Sequence, residues 1–410
     1  MILATLFTGA LINRALGPSA RGVFAEIQTW ASLFIVIFGL SIDSGIYHFA
    51  NKERYHYDDS SRLTTILLMI FIYAVLAIIA LTLCVMYWPE RFSTSAVAYL
   101  VLLHMLLITT MLSVNLRVLL ESLGNIKFSA IVGFIQALVN AIIIGYGYFF
   151  KIMDVRFVVM RLIIVQVITL VALFVIFLST GLNFGRFSTD MSKGLIKAGL
   201  KQHIATISTF IYTNVNQLIV FRYCGESEAG FFAVALTLAF ALIFIPEAFR
   251  TALYPRVIHS NDDYEVTVRS LRLGFYGWGA IAILFIICAR PILLIYGGGE
   301  FLPSINVFRI LMIAVWFLPL SSLLAPYYVK KGAFGIASLS AVLLGIISIG
   351  LNMLLVPKFA SIGAAAATAL SCLTGFCMII LFLYYLSKKN PLVIFKLDFQ
   401  KEINFIRGMY

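Results

Sequence analysis

Three arginines stand where charge is costly. Arg14 and Arg21 flank a Gly17-Pro18 turn between two apolar runs, and Arg250 sits on a later apolar run four residues after Pro246. An ionisable side chain at membrane depth costs several kcal/mol and is a functional candidate by default. A guanidinium presents a planar fork of donors that fits phosphate oxygens, so Arg14, Arg21 and Arg250 are candidate ligands for a phosphate or pyrophosphate group. The competing readings are that Arg14 snorkels to the membrane surface and that Arg21 closes its hairpin onto lipid headgroups.

Asp43 and Arg250 form a second constellation. Adding 208 to 43 gives 251, so the two charges fall at matching places in the two halves of the chain and could form a gate. The local alternative is a Glu247–Arg250 pair, three apart on one helix. Thr206, Thr209, Thr213 and Asn216 recur at spacings of 3, 4 and 3, with Gln217 adjacent. On a continuous α-helix they share one face and suit a sugar-lined path, or else hydrogen bonds between helices. Gln136 and Asn140 repeat that theme. Arg117 and Glu121 are spaced for a structural pair.

The elements that position these residues follow from composition. Of 410 residues, 62% are hydrophobic and 12% charged, against about 25% charged in soluble domains. Only a polytopic membrane protein fits. The net charge of +12 is a matter of insertion topology and does not imply nucleic acid. The five cysteines have no CxxC pairing and no accompanying histidines, so structural thiols are expected and a metal is not. Met1–Ile12 lacks the features of a signal peptide, and the first run is short for a span. Gly297–Gly299 lacks the ending of a phosphate-binding loop.

Apolar runs and breakers predict twelve spans, near 1–16, 23–46, 64–88, 95–115, 128–150, 157–178, 204–221, 230–253, 273–295, 304–326, 334–356 and 360–386. A shift of 208 superimposes Gly17 on Gly225, Ser19 on Ser227, Gly22 on Gly230, Phe24 on Phe232, Ala25 on Ala233 and Gly124 on Gly332. One half-length unit used twice is a mark of secondary transporters. The expected fold is an all-α membrane protein of two pseudo-symmetric six-helix lobes around a central cavity. Residues 1–180 form one lobe, 181–203 a basic amphipathic linker, 204–387 the second lobe and 388–410 a basic tail. Linker and tail read as membrane-surface anchors. Alternate loops hold twenty cationic residues against nine, which puts both termini on the cytoplasmic side.

With these elements in order, Asn13-Arg14-x-Leu16-Gly17-Pro18-x-x-Arg21-Gly22-x-Phe24-Ala25, Tyr296-Gly297-x-x-x-Phe301-x-x-Ser304, Arg309-Ile310-Leu311, Asn352-x-x-Leu355-x-Pro357 and Gly363-Ala364-Ala365-x-Ala367-Thr368 resemble the bacterial polysaccharide flippases. These are the O-antigen and capsule repeat-unit carriers of the multidrug/oligosaccharidyl-lipid/polysaccharide exporter superfamily. The resemblance implies flipping of undecaprenyl-pyrophosphate-linked oligosaccharide from the cytoplasmic to the periplasmic leaflet of the bacterial inner membrane. It also implies alternating access around a cationic cavity, which favours Arg14 and Arg21 as ligands. Some relatives, the peptidoglycan-precursor flippases among them, carry two further C-terminal spans.

The alternatives come from other classes. A multidrug exporter of the sister family would place acidic residues inside the lobes, whereas only Asp43, Glu121 and Glu247 are expected near spans. An O-antigen polymerase or ligase would carry a long periplasmic loop with acidic residues, and none is expected. No resident cofactor is expected, although a proton or sodium ion could couple transport. Expected partners are the glycolipid, the bilayer and neighbouring polymerases or glycosyltransferases, with the chain working as a monomer.

Overall fold

The computed structural model describes residues 2–49, 59–92, 97–179, 184–260 and 262–396. Among them 90% of the structure is helix and no strand is present. The chain divides into two compact units, Met1–Phe210 with Gly225–Gly230, and Ile211–Cys224 with Phe231–Tyr410. Ten helical stretches among the described residues are long and apolar enough to cross a membrane.

Unit 1 contains α1 (Ile2–Gly39), α2 (Ile42–His48), α3 (Asp59–Tyr87), α4 (Leu100–Ser122), α5 (Ile126–Phe149), α6 (Val155–Ser179) and α7 (Thr189–Phe210). The first two expected spans are a single helical stretch, and its backbone leaves helical geometry at Gly17 (φ 68°, ψ 178°). Only glycine adopts that conformation without strain. The second expected span ends early. Leu40 and Ser41 each take a φ of 48°, which breaks the run and puts Asp43 in the first turn of the short α2, exposed. α1 packs on α3, α4, α5 and α6, while α2 lies on α7. Residues 189–203 of the expected surface linker are continuous with the seventh expected span in α7. Gly199 of α7 lies so close to Leu40 that a Cβ would meet the Leu40 carbonyl oxygen.

Unit 2 begins with a π turn, Ile211–Val215, followed by α8 (Asn216–Cys224). It continues with α9 (Glu226–Ala241, whose first turn belongs to unit 1), α10 (Phe244–His259), α11 (Asp263–Ile287), α12 (Ala289–Tyr296), α13 (Ser304–Leu323), α14 (Ala325–Lys330) and α15 (Phe334–Ser387). Pro246 lacks an amide hydrogen and crowds the carbonyl four residues earlier, and the chain breaks at Leu242–Ile243, between α9 and α10. α15 is far too long for one crossing at 1.5 Å per residue. It breaks at Ala360 (φ 50°, ψ −134°), three residues after Pro357. The start of the expected tail is a docked strap: Pro391 and Ile394 are buried, and Arg272 Nη2 donates to Val393 O at 2.9 Å. Lys52, Arg54, Lys401 and Arg407 lie outside the described residues.

The repeat of 208 residues reappears in the backbone. Gly17, Gly225, Gly124 and Gly332 all have positive φ, at 68°, 84°, 84° and 66°. Within unit 1 the two equivalent hairpins touch reciprocally. A methyl group on Gly22 would run into the Glu226 carbonyl oxygen, and one on Gly230 would run into that of Pro18. Pro18 and Glu226 are themselves 208 apart, so the contact is self-complementary. Ser19 Oγ also donates to Glu226 Oε2. Apolar burial gains little between helices in lipid, so close approach through small residues is what holds such contacts.

Gly22→Ala and Gly230→Ala should each destabilise the detergent-solubilised protein by roughly 1–3 kcal/mol through overpacking against backbone. The double variant should lose less than the sum, because parting one contact opens the other. Thermal unfolding measures this, and a wild-type unfolding temperature for Gly22→Ala would contradict the packing.

Candidate functional site

The first half of α1 carries Thr8 and Asn13 as buried polar side chains, and Arg21 follows the break at Gly17. On a straight helix Asn13 and Arg21 would lie about 12 Å apart along the axis. The break brings them together, and Arg21 Nε donates to Asn13 Oδ1 at 3.0 Å. The Arg21 guanidinium also lies 5.3 Å from the Phe24 ring centroid, a cation–π contact.

Two further helices complete the cluster. Asn140 on α5 donates from Nδ2 to Thr8 Oγ1 at 3.4 Å, and its Oδ1 accepts from Arg161 Nη1 on α6. Arg161 is 6% exposed and Arg21 8%, and Arg161 lies within electrostatic range of Arg21. Two buried cations are therefore gathered with the amides of Asn13 and Asn140 and the Thr8 hydroxyl. Such a set of donors stabilises negative charge. It has no nucleophile or base arranged for covalent chemistry, and among the described residues no His, Cys, Asp and Glu cluster could hold a metal.

The structure distributes the expected site residues unevenly. Arg14 is exposed on α1, one residue from buried Asn13. Arg21 and Asn140 enter the cluster, while Gln136 is half-buried on α5 without joining it through a hydrogen bond shown here. Arg250 takes the local alternative, with Nε 2.7 Å from Glu247 Oε2 and both side chains about one-third exposed or more. The polar stripe does not continue in one register, because the π turn interrupts the helix at residues 211–215. Thr206 accepts from Ser41 Oγ at 3.1 Å in unit 1, and Thr209 is exposed. Thr213 accepts from Asn214 Nδ2 inside the π turn. Asn216 is buried and donates to Thr368 Oγ1 at 2.8 Å in unit 2, and Gln217 beside it is also buried. Asn216 thus makes the interhelical bond that was the competing account of the stripe.

The expected Arg117–Glu121 pair forms at 3.5 Å and grows into a network. Ser129 Oγ and Tyr47 Oη donate to Glu121, the latter at 2.6 Å. Partial burial and then the Glu121 carboxylate push the Tyr47 phenol up to about 12, so it remains a donor at physiological pH.

Two functional candidates escape sequence reasoning. Arg161 is one of the nine cations counted in the minority set of loops, although it falls inside the expected span 157–178. Glu26 falls inside the expected span 23–46 yet is missing from the acidic residues weighed near spans. Its side chain is 1% exposed and accepts from Trp30 Nε1 at 3.3 Å. An ionisable residue inside an apolar run is the signal that would have found both.

No family model matches the chain, and no curated protein matches it in sequence. Solved structures do match in fold. The inward closed conformation of the lipid II flippase MurJ superimposes with a TM-score of 0.74 at 16% identity, covering 100% of this chain and 89% of that one. An inward-facing multidrug resistance MATE transporter of the MOP superfamily gives 0.72 at 11% identity, covering 94% and 95%. A MOP superfamily transporter from Pyrococcus furiosus, described as having a binding pocket of reverse polarity, gives 0.60 at 13%, covering 94% and 93%. The chain therefore shares the fold of these solved structures.

Asn140→Ala should cost about 2 kcal/mol of stability, because it removes the oxygen that Arg161 uses inside the helix bundle. Asn140→Asp should be more stable than Asn140→Ala, since its carboxylate faces the same guanidinium. Equal unfolding temperatures for the two variants would contradict the assigned bond.

Proposed function

We propose that the protein flips an anionic lipid-linked oligosaccharide, an undecaprenyl-pyrophosphate-linked repeat unit, from the cytoplasmic to the periplasmic leaflet of a bacterial inner membrane. The observation that carries this reading is the sign of the buried charge. Arg21, Arg62, Arg161 and Arg272 are buried in the helices, whereas Glu26 is the one fully buried carboxylate among the described residues. A cationic interior suits a phosphate-bearing head. The MurJ fold neighbour handles a lipid-linked substrate by its name, which supports the same class here.

The long helices broken at Gly17 and Ala360 each count as two crossings on this reading, which raises the ten stretches to the twelve expected spans with both termini cytoplasmic. A polar head cannot cross hydrocarbon unaided, and the exposed Arg14 would offset its charge while the polyprenyl tail stays in lipid. Arg250 joins it once Glu247 releases it, whereas Arg21 is enclosed beside Asn13. Outward movement of an anion runs with the potential, at about 2.3 kcal/mol per charge per 100 mV. The second reading, cation-coupled drug export, draws on the MATE neighbours and on Glu26, whose burial suits a proton or sodium site.

A strain lacking the protein should accumulate undecaprenyl-linked repeat units in the inner leaflet, and Arg14→Gln should lower flipping about tenfold or more, the loss of roughly one charge-assisted hydrogen bond. Glu26→Gln separates the readings, since it should leave glycolipid transport running but abolish cation-coupled export. Normal surface glycan in the deletion strain, with no paralogue present, would remove the proposal.

A further inference from the structure

Inside unit 1, Arg161 Nε and Asn13 Nδ2 are buried donors with no hydrogen-bond partner among the described residues. Arg161 is 6% exposed and Asn13 1%. Buried cations ordinarily sit against a carboxylate, because an uncompensated charge in a low-dielectric interior is strongly destabilising. Among the described residues Arg161 makes no such pair. Its hydrogen-bond acceptor is the neutral amide oxygen of Asn140, and the charged group acting on it is another cation, Arg21.

Around this guanidinium the chain supplies donors in excess of acceptors. Asn13 Oδ1 is taken by Arg21, and Asn140 spends its oxygen on Arg161 and its Nδ2 on Thr8. Thr8 in turn donates to the Ala4 carbonyl oxygen at 2.9 Å. The missing component is negative charge at Arg161.

We propose that this cluster is a binding site for a small monovalent inorganic anion, a halide or nitrate, enclosed between α1, α5 and α6. Arg161 Nε and Asn13 Nδ2 are its donors, and Arg21 adds the second positive charge. The enclosure sets the size. Thr8, Asn13, Arg21 and Arg161 are each at least nine-tenths buried, which leaves no opening for a pyrophosphate bearing sugars and a lipid. The site is therefore separate from the substrate path, and it stands whether the transported molecule is a glycolipid or a drug. The anion would fix the arrangement of α1 on both sides of the Gly17 break, since Asn13 precedes the break and Arg21 follows it.

The test uses the purified full-length chain in detergent, with ionic strength held constant by gluconate while chloride or nitrate is titrated in and unfolding is followed by scanning fluorimetry. The expected result is a saturable rise of roughly 2 °C or more across a hundredfold concentration range. Arg309→Gln, at an exposed arginine whose Nε donates to Ile286 O, should keep the rise. Arg161→Gln should lose it. Asn13→Asp should lose it too, because its own carboxylate supplies the missing charge, and this variant remains informative if Arg161→Gln does not fold. Gluconate stabilising as well as chloride would overturn the site and leave water as the occupant of these donors. A chloride response that persists in Asn13→Asp would overturn it as well, and so would an equal saturable response to inorganic pyrophosphate, which would make this a head-group site.

Discussion

A guanidinium held inside a helix bundle at membrane depth is the constraint around which unit 1 is arranged. Arg161 brings a full charge into a setting where even a neutral unpaired polar group is costly, and Arg21 adds a second of the same sign. The neighbouring helices answer with side chains that are otherwise hard to explain in apolar segments: Asn13 and Thr8 on α1 and Asn140 on α5. These neutral groups orient the arginines through hydrogen bonds. Buried positive charge of this kind is what the proposed function draws on.

The meeting of these side chains depends on a backbone departure from regular helix. Gly17 bends α1 so that Arg21 reaches back to Asn13, and no other residue would hold that conformation without strain. The same stretch presents Gly22 to the Gly225–Gly230 segment of unit 1, so it sets both the charge cluster and this close backbone contact. The π turn at 211–215 and the break at Ala360 are comparable departures in unit 2. Each divides what would otherwise be an overlong rod.

Much of this was legible in the sequence for physical reasons. Hydropathy finds spans because backbone polar groups must be satisfied within each helix at membrane depth, and the shift of 208 finds the glycines because left-handed turns need them. Arg21 and Asn140 were visible as charge and amide in apolar runs, although their bond partners were not. Arg161 escaped because it sits within the first two turns of its helix, where a loop cation and a buried one look alike. Asp43 was placed on a span because the apolar run continues to Ile46, yet the positive φ angles at Leu40 and Ser41 end the helix first. The Thr206–Gln217 stripe assumed an unbroken α register, and nothing in residue preference marks a five-residue π turn. Arg250 and Glu247 met as their spacing allows.

The central claim is that the transported head is anionic and leaves the cytoplasmic side along the electrical gradient. It is tested most directly in proteoliposomes that carry a fluorescent undecaprenyl-pyrophosphate-linked glycan, with the protein's cytoplasmic face inside and the potential set by a potassium gradient and valinomycin. The account predicts that an inside-negative potential accelerates the appearance of glycan in the outer leaflet and that reversing the potential slows it. Flipping that is indifferent to the potential, or faster under the reversed one, would contradict it.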